Sequence, residues 1–169
     1  MTVWNYFCVT APPVDCPVDI VFVVDESGSI YATNFALAKS FLAHLVGRLD
    51  IDSGSTRVGL VTYSSAIGSS FNLNTYSTIS SVQAAILSLS YTGGATYTAD
   101  ALAYVRTTML TSVAGDRSNV PNVVAVLTDG HSHDAADTLV RRMHWCCKMN
   151  RQVLTALTYT CIYDMIRNI

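Results

Sequence analysis

Val18–Val24 (VDIVFVV) is almost unbroken in apolar side chains, several of them β-branched, which is how a strand buried on both faces reads. The polar run Asp25-Glu26-Ser27-Gly28-Ser29 ends it. The period then changes. Ala38, Phe41, Leu42, Leu45, Val46 and Leu49 recur at helical spacing, with Thr33 or Asn34 as the expected N-cap. Ser53-Gly54 marks a turn, Val58–Tyr63 a second strand, and Ser69–Leu73 a third that is polar enough for an edge. Val82, Ala85, Ile86 and Leu89 predict a short amphipathic helix, which Gly93-Gly94 breaks. Thr98–Leu110 resumes the helical pattern through Leu102, Val105 and Met109. Val123–Leu127 is another buried strand, closed by Thr128-Asp129-Gly130. Asp134 is placed to cap a helix carrying Ala136, Leu139, Val140 and Met143, and Gln152–Tyr159 reads as a last strand.

Strands of this apolar kind alternating with helices imply an α/β fold: a doubly wound, mostly parallel central sheet with helices on both faces. The expected layout is an extended lead-in over 1–17, set by Pro12-Pro13, one domain over 18–160, and a short tail over 161–169. In such sheets the binding crevice lies at the carboxyl ends of the strands. That directs attention to Asp25–Ser29, to Asp129-Gly130, and to the Gly93–Thr98 loop.

Composition narrows the function. The chain has 169 residues, enough for one domain. Half of them are hydrophobic and 13% are charged, which excludes a disordered tail or a coiled coil. A net charge of −2 argues against nucleic acid as a partner, because phosphate affinity needs a basic field. No apolar run approaches the roughly 20 residues that span a bilayer, so membrane insertion is not expected. Cys8 and Cys16 lie near the start, and Cys146, Cys147 and Cys161 near the end. An odd count of 5 cannot pair completely within one chain. The two clusters either close the termini together, an extracellular habit, or remain free thiols. Met1–Val9 has no basic leader segment, so a secreted chain would carry its signal upstream and this sequence would be a fragment.

Asp25, Ser27 and Ser29 occupy alternate positions, and in an extended stretch such positions point the same way. Asp129 adds a second carboxylate and Thr96 a third hydroxyl. All five are hard oxygen donors, a set that suits Mg²⁺, Mn²⁺ or Ca²⁺ and disfavours zinc or copper. Waters would complete an octahedron and leave one position for an outside ligand. His131-Ser132-His133-Asp134 also invites a metal reading, but a helix-capping turn is the simpler expectation. Ser27-Gly28-Ser29 lacks the glycine pattern of a nucleophile elbow, and no phosphate-binding glycine motif is present.

Val18–Ile30 resembles the opening of a von Willebrand factor type A domain. So do Arg57–Tyr63, Gly93–Thr98 with Ala101-Leu102, and Val126–Gly130, four blocks in the family's order. The resemblance implies a Rossmann-like fold and a metal-ion-dependent adhesion site with Asp25, Ser27, Ser29, Thr96 and Asp129 as ligands. The neighbouring hydroxyls and Asp100 match no ligand position. Cys16-Pro17 resembles the matrix branch of the family, in which flanking cysteines staple the domain ends. After Asp134 the sequence departs from the family pattern: no glycine follows Gly130, and Arg141–Lys148 is basic and thiol-rich. The C-terminal elements are therefore expected to be incomplete, through truncation or a shifted frame near residue 140. A basic tail contacting an acidic partner is the functional alternative.

The resulting expectation is a secreted, non-enzymatic binding module of the adhesion or extracellular-matrix type. It would hold the carboxylate of a partner such as collagen, another matrix protein or a cell-surface protein through the cation. The alternative is a structural, self-associating matrix module in which the metal only stiffens the loops. An enzyme is disfavoured because Asp25 and Asp129, occupied as ligands, leave no general base.

Overall fold

In the computed structural model the describable chain comprises residues 17–129, 132–133 and, for the backbone, 157–158. The five cysteines, the helix expected after Asp134 and the basic stretch 141–148 lie outside it. The apolar run forms β1 (Val18–Asp25), the central strand of a five-stranded sheet. β2 (Thr56–Tyr63) and β4 (Asn122–Thr128) pair with it in parallel on either side. β3 (Ile67–Phe71) lies antiparallel outside β2, and β5 (Leu157–Thr158) parallel outside β4, giving the order β3-β2-β1-β4-β5. The chain thus winds from β1 to one side and later returns to the other. The crevice where the order reverses lies between the carboxyl ends of β1 and β4.

Alternate side chains of the central strands feed two cores. Phe22, Val24, Val58, Leu60 and Leu127 pack with α1 (Tyr31–Val46) and α2 (Ile79–Leu87) through Phe35, Leu42, Val82 and Ile86. Val21, Val23, Val61, Tyr63, Val124 and Val126 pack on the other face with α3 (Thr98–Tyr104) and the segment after it. Both faces are covered, which is why these strands carry almost no polar alternation.

Three sequence expectations shift, and a fourth is seen only in part. α1 starts at Tyr31 and not at a Thr33 or Asn34 cap, because a 3-10 turn, Gly28–Ile30, feeds directly into it. The third strand sits two residues earlier than Ser69–Leu73, and an extra residue bulges from it opposite Thr62. The helix expected through Leu110 ends as a π-type turn over Val105–Met109, closed by the Leu110 N–H on the Val105 carbonyl at 2.9 Å. There the Met109 methyl settles over Gly59, 3.2 Å from where a Cβ would stand. Of the last expected strand, Gln152–Tyr159, Leu157–Thr158 is seen paired to β4, and the remainder lies outside the described residues.

Candidate metal centre

β1 ends on Asp25, whose side chain is fully buried at the crevice. Its Oδ1 accepts the Ser27 N–H at 2.8 Å, and its Oδ2 accepts the Thr128 hydroxyl from the end of β4 at 2.7 Å. Ser27 is still extended, but the 3-10 turn begins at Gly28 and swings Ser29 back, so the two hydroxyls meet at 3.2 Å. The clustering therefore comes from a turn after Ser27, and the simple alternation expected from an extended loop holds only as far as that residue. The turn lies against the glycine loop: the Gly28 N–H donates to the Gly94 carbonyl at 2.8 Å. The Tyr91 hydroxyl, donating to the Ser27 carbonyl at 3.1 Å, braces the turn from the other side.

The Gly28–Gly94 bond brings the loop of Thr96 onto the Asp25–Ser29 turn. Thr96 is buried, at 2% exposure. Asp129 follows β4 directly, next to the Thr128 that touches Asp25, and is half-buried. The structure thus gathers Asp25, Ser27, Ser29, Thr96 and Asp129 at one end of the sheet, from three chain segments.

Electrostatics set the demand of this site. Burial pushes the Asp25 carboxyl above its ordinary value, and the negative charge of Asp129 pushes the same way; hydrogen bonds from Ser27 and Thr128 only partly oppose this. A cation between the two carboxylates would invert that balance. Among the described residues no three His, Cys, Asp or Glu side chains converge as a metal-binding group. The set is two carboxylates and three hydroxyls, and it fits a hard divalent ion in chemistry.

Glu26 has no candidate role in the sequence. It is 1% exposed, and its Oε2 has no hydrogen-bond partner. Burial raises its carboxyl above the ordinary value, with Asp25 adding to the effect and hydrogen bonds from Thr92 and Thr62 opposing it. A Cβ at Gly68 of β3 would collide with this carboxylate and with the Thr62 hydroxyl, so the glycine makes room for it. The only sequence signal was a charged residue inside an otherwise buried block. His133 lies in a turn, as expected, and its side chain accepts the Thr96 N–H, a contact the sequence does not signal; the helix expected to follow lies outside the described residues. His131 and Asp134 lie outside the described residues. Tyr63, in register with Asp25, donates or accepts a hydrogen bond with Thr98 at 3.2 Å; burial, and then Asp25, push its hydroxyl far above its ordinary value.

Comparison with known proteins identifies the family. The family model described as von Willebrand factor type A domain matches residues 19–153. The collagen alpha-4(VI) chain of Mus musculus is 43% identical over 131 residues, covering 74% of this chain and 6% of that protein. The collagen alpha-1(XX) chain of Homo sapiens is 40% identical over 130 residues, covering 77% and 10%. Matrilin-1 of Mus musculus is 36% identical over 124 residues, covering 73% and 25%. The chain therefore spans a quarter or less of the length of these relatives. Among solved structures, proximal thread matrix protein 1 of the mussel byssus superposes with a TM-score of 0.74 at 22% identity, over 85% of this chain and 38% of that one. A second structure of that protein, described with a zinc-occupied MIDAS motif, gives 0.65 at 23% identity, over 90% and 44%. At these identities the likeness is one of fold.

Proposed function

The chain belongs to the von Willebrand factor type A domain family, and on that footing we propose that it is a metal-dependent binding module of the extracellular matrix and not an enzyme. Asp25, Ser27, Ser29, Thr96 and Asp129 hold a divalent cation, Mg²⁺ or alternatively Mn²⁺ or Ca²⁺. The cation then binds a carboxylate of a matrix or cell-surface protein such as collagen. The observation that supports this reading is the turn after β1: Ser27 and Ser29 hydroxyls 3.2 Å apart beside a fully buried Asp25, joined through Gly28 to the loop of Thr96. Only two of the five donors carry charge, so the ion keeps enough electrophilicity to attract an incoming Asp or Glu. Both carboxylates serve as ligands, leaving neither as a general base. The relatives named above are collagen chains and matrilins, which supports a matrix location and partner. Among the described residues no helix is long and apolar enough to cross a membrane.

The test is binding to immobilised collagen and matrix extracts by surface plasmon resonance, beside calorimetric Mg²⁺ titration. Binding should vanish in EDTA and return with Mg²⁺ or Mn²⁺. Even outer partners of metal ligands are worth about 10- to 100-fold in affinity, so Asp25→Ala should lose more than that. Ser29→Ala should lose less, since water replaces a neutral hydroxyl. Metal affinity equal in wild type and Asp25→Ala removes the site. Tight partner binding that ignores EDTA transfers the assignment to a self-associating structural module.

A further inference from the structure

We propose that His133 is a positioning residue that fixes the backbone of Thr96 and so presents its hydroxyl to the cation; the cation half of this rests on the function proposed above. The loop does not fix Thr96 by itself. Gly93 and Gly94 precede it with φ of 74° and 110°, a region where glycine gives the chain latitude that other residues lack. Its order comes from outside. Gly94 is held by the Gly28 N–H at 2.8 Å, Ala95 by the Ser65 hydroxyl at 2.8 Å, and Tyr97 by the Ser64 carbonyl at 3.1 Å. Those bonds belong to the loops after β1 and β2, and they leave out Thr96.

Thr96 is taken by the segment after β4. Its N–H donates to His133 Nδ1 at 3.1 Å, and its carbonyl accepts the His133 N–H at 2.9 Å. The Ser132 hydroxyl adds a second bond to the same carbonyl at 3.2 Å. The His133 ring also lies beside Tyr97, centroids 6.1 Å apart. One residue thus engages both backbone polar groups of the donor residue, and its side chain and main chain share the task. The chemistry needs an acceptor at the δ position of a short side chain, so that one residue can accept and donate to the same partner. Asn offers an oxygen at that place and Ala offers none.

The arrangement also links two donors. The segment that carries Asp129 is the one that grips Thr96.

His133 is exposed, so its replacement opens no core cavity. The experiment compares wild type, His133→Ala and His133→Asn by amide hydrogen exchange at Thr96, by Mn²⁺ titration with the metal alone, and by thermal melting. One hydrogen bond is worth about five- to tenfold. In His133→Ala the Thr96 amide should exchange about that much faster and Mn²⁺ affinity should fall by a similar factor, with the melting temperature lowered by no more than about 4 °C, the shift one such bond carries. His133→Asn should restore both. Thr96 exchange equal in wild type and His133→Ala overturns the clasp, as does failure of His133→Asn to differ from His133→Ala. Wild type that takes up no Mn²⁺ overturns the cation reading, and the exchange rates then judge the clasp separately.

Discussion

Arg117→Met should be among the most damaging single changes away from the crevice. Asp19 lies at the start of β1 with its side chain fully buried. Its Oδ1 accepts from Arg117 Nε at 2.9 Å and from a terminal guanidinium nitrogen at 2.7 Å, while its Oδ2 accepts the Arg117 backbone N–H at 2.9 Å. The guanidinium also donates to the carbonyls of Gly54, Ser55 and Val18, tying the turn before β2 to the first strand. Removing one member of a buried ion pair costs about 3–5 kcal/mol, because the other charge stays buried without its counterpart. The Arg117 side chain is 19% exposed, so water reaches part of the gap, and the low end, about 3 kcal/mol, is expected. Urea unfolding followed by circular dichroism measures this. Adding Asp19→Asn removes the stranded charge and keeps an acceptor for the Arg117 N–H; it should return about 1–2 kcal/mol. Mg²⁺ affinity should not change, since six residue steps along the strand, at about 3.3 Å each, separate Asp19 from Asp25. A loss below about 1 kcal/mol, or strict additivity of the two substitutions, would refute the argument.

Two further outcomes are expected. The folded state raises the carboxyls of Asp25 and Glu26 above their unfolded values, so it holds their protons more tightly than the unfolded chain does. Stability from this source is present below the ordinary carboxylate range and is lost as pH rises through the folded values. In EDTA, melting from about pH 4 to 7 should show wild type losing ground to Asp25→Asn as pH rises, and Mg²⁺ should reverse that trend; a wild type that gains on the variant in EDTA would contradict it. Tyr31 is the one non-glycine residue with positive φ among the described residues, at 60°, and is 69% exposed. Such backbone costs of order 1–3 kcal/mol, so Tyr31→Gly should be neutral or stabilising in denaturant unfolding, where a glycine elsewhere in α1 would cost about 1 kcal/mol. A loss above about 1 kcal/mol at Tyr31 would show that the strain is not there.

The central strands were legible because burial on both faces leaves a local signature: Val18–Val24, Asp19 apart, and Val123–Leu127 are apolar without alternation, and β1 extends its run by one residue and β4 by one at each end. The crevice followed from the alternation of strand and helix. Features decided by distant partners were not legible. The Ser29 turn needs Gly28 to meet Gly94, and the π-type turn after α3 needs Met109 to find Gly59. The start of α1 was missed because a 3-10 turn replaced the side-chain cap that the sequence offered. The His133 contact joins residues 37 apart and has no periodic signal at all.

That reach has a consequence for how the site comes into being. The Asp25–Thr128 bond closes across 103 residues, and the loop of Thr96 is pinned by segments on both sides of it in the chain. Contacts of such separation are held only once the intervening loops have closed, at the entropic cost of that closure. An unfolded or half-folded chain offers scattered hydroxyls and carboxylates but no cage. A cation that selects only the finished cage stabilises it by mass action, about 4 kcal/mol at a thousandfold excess over its dissociation constant. On the function proposed above, the ion would then act as a seal on completed domains, withheld from the intermediates that precede them.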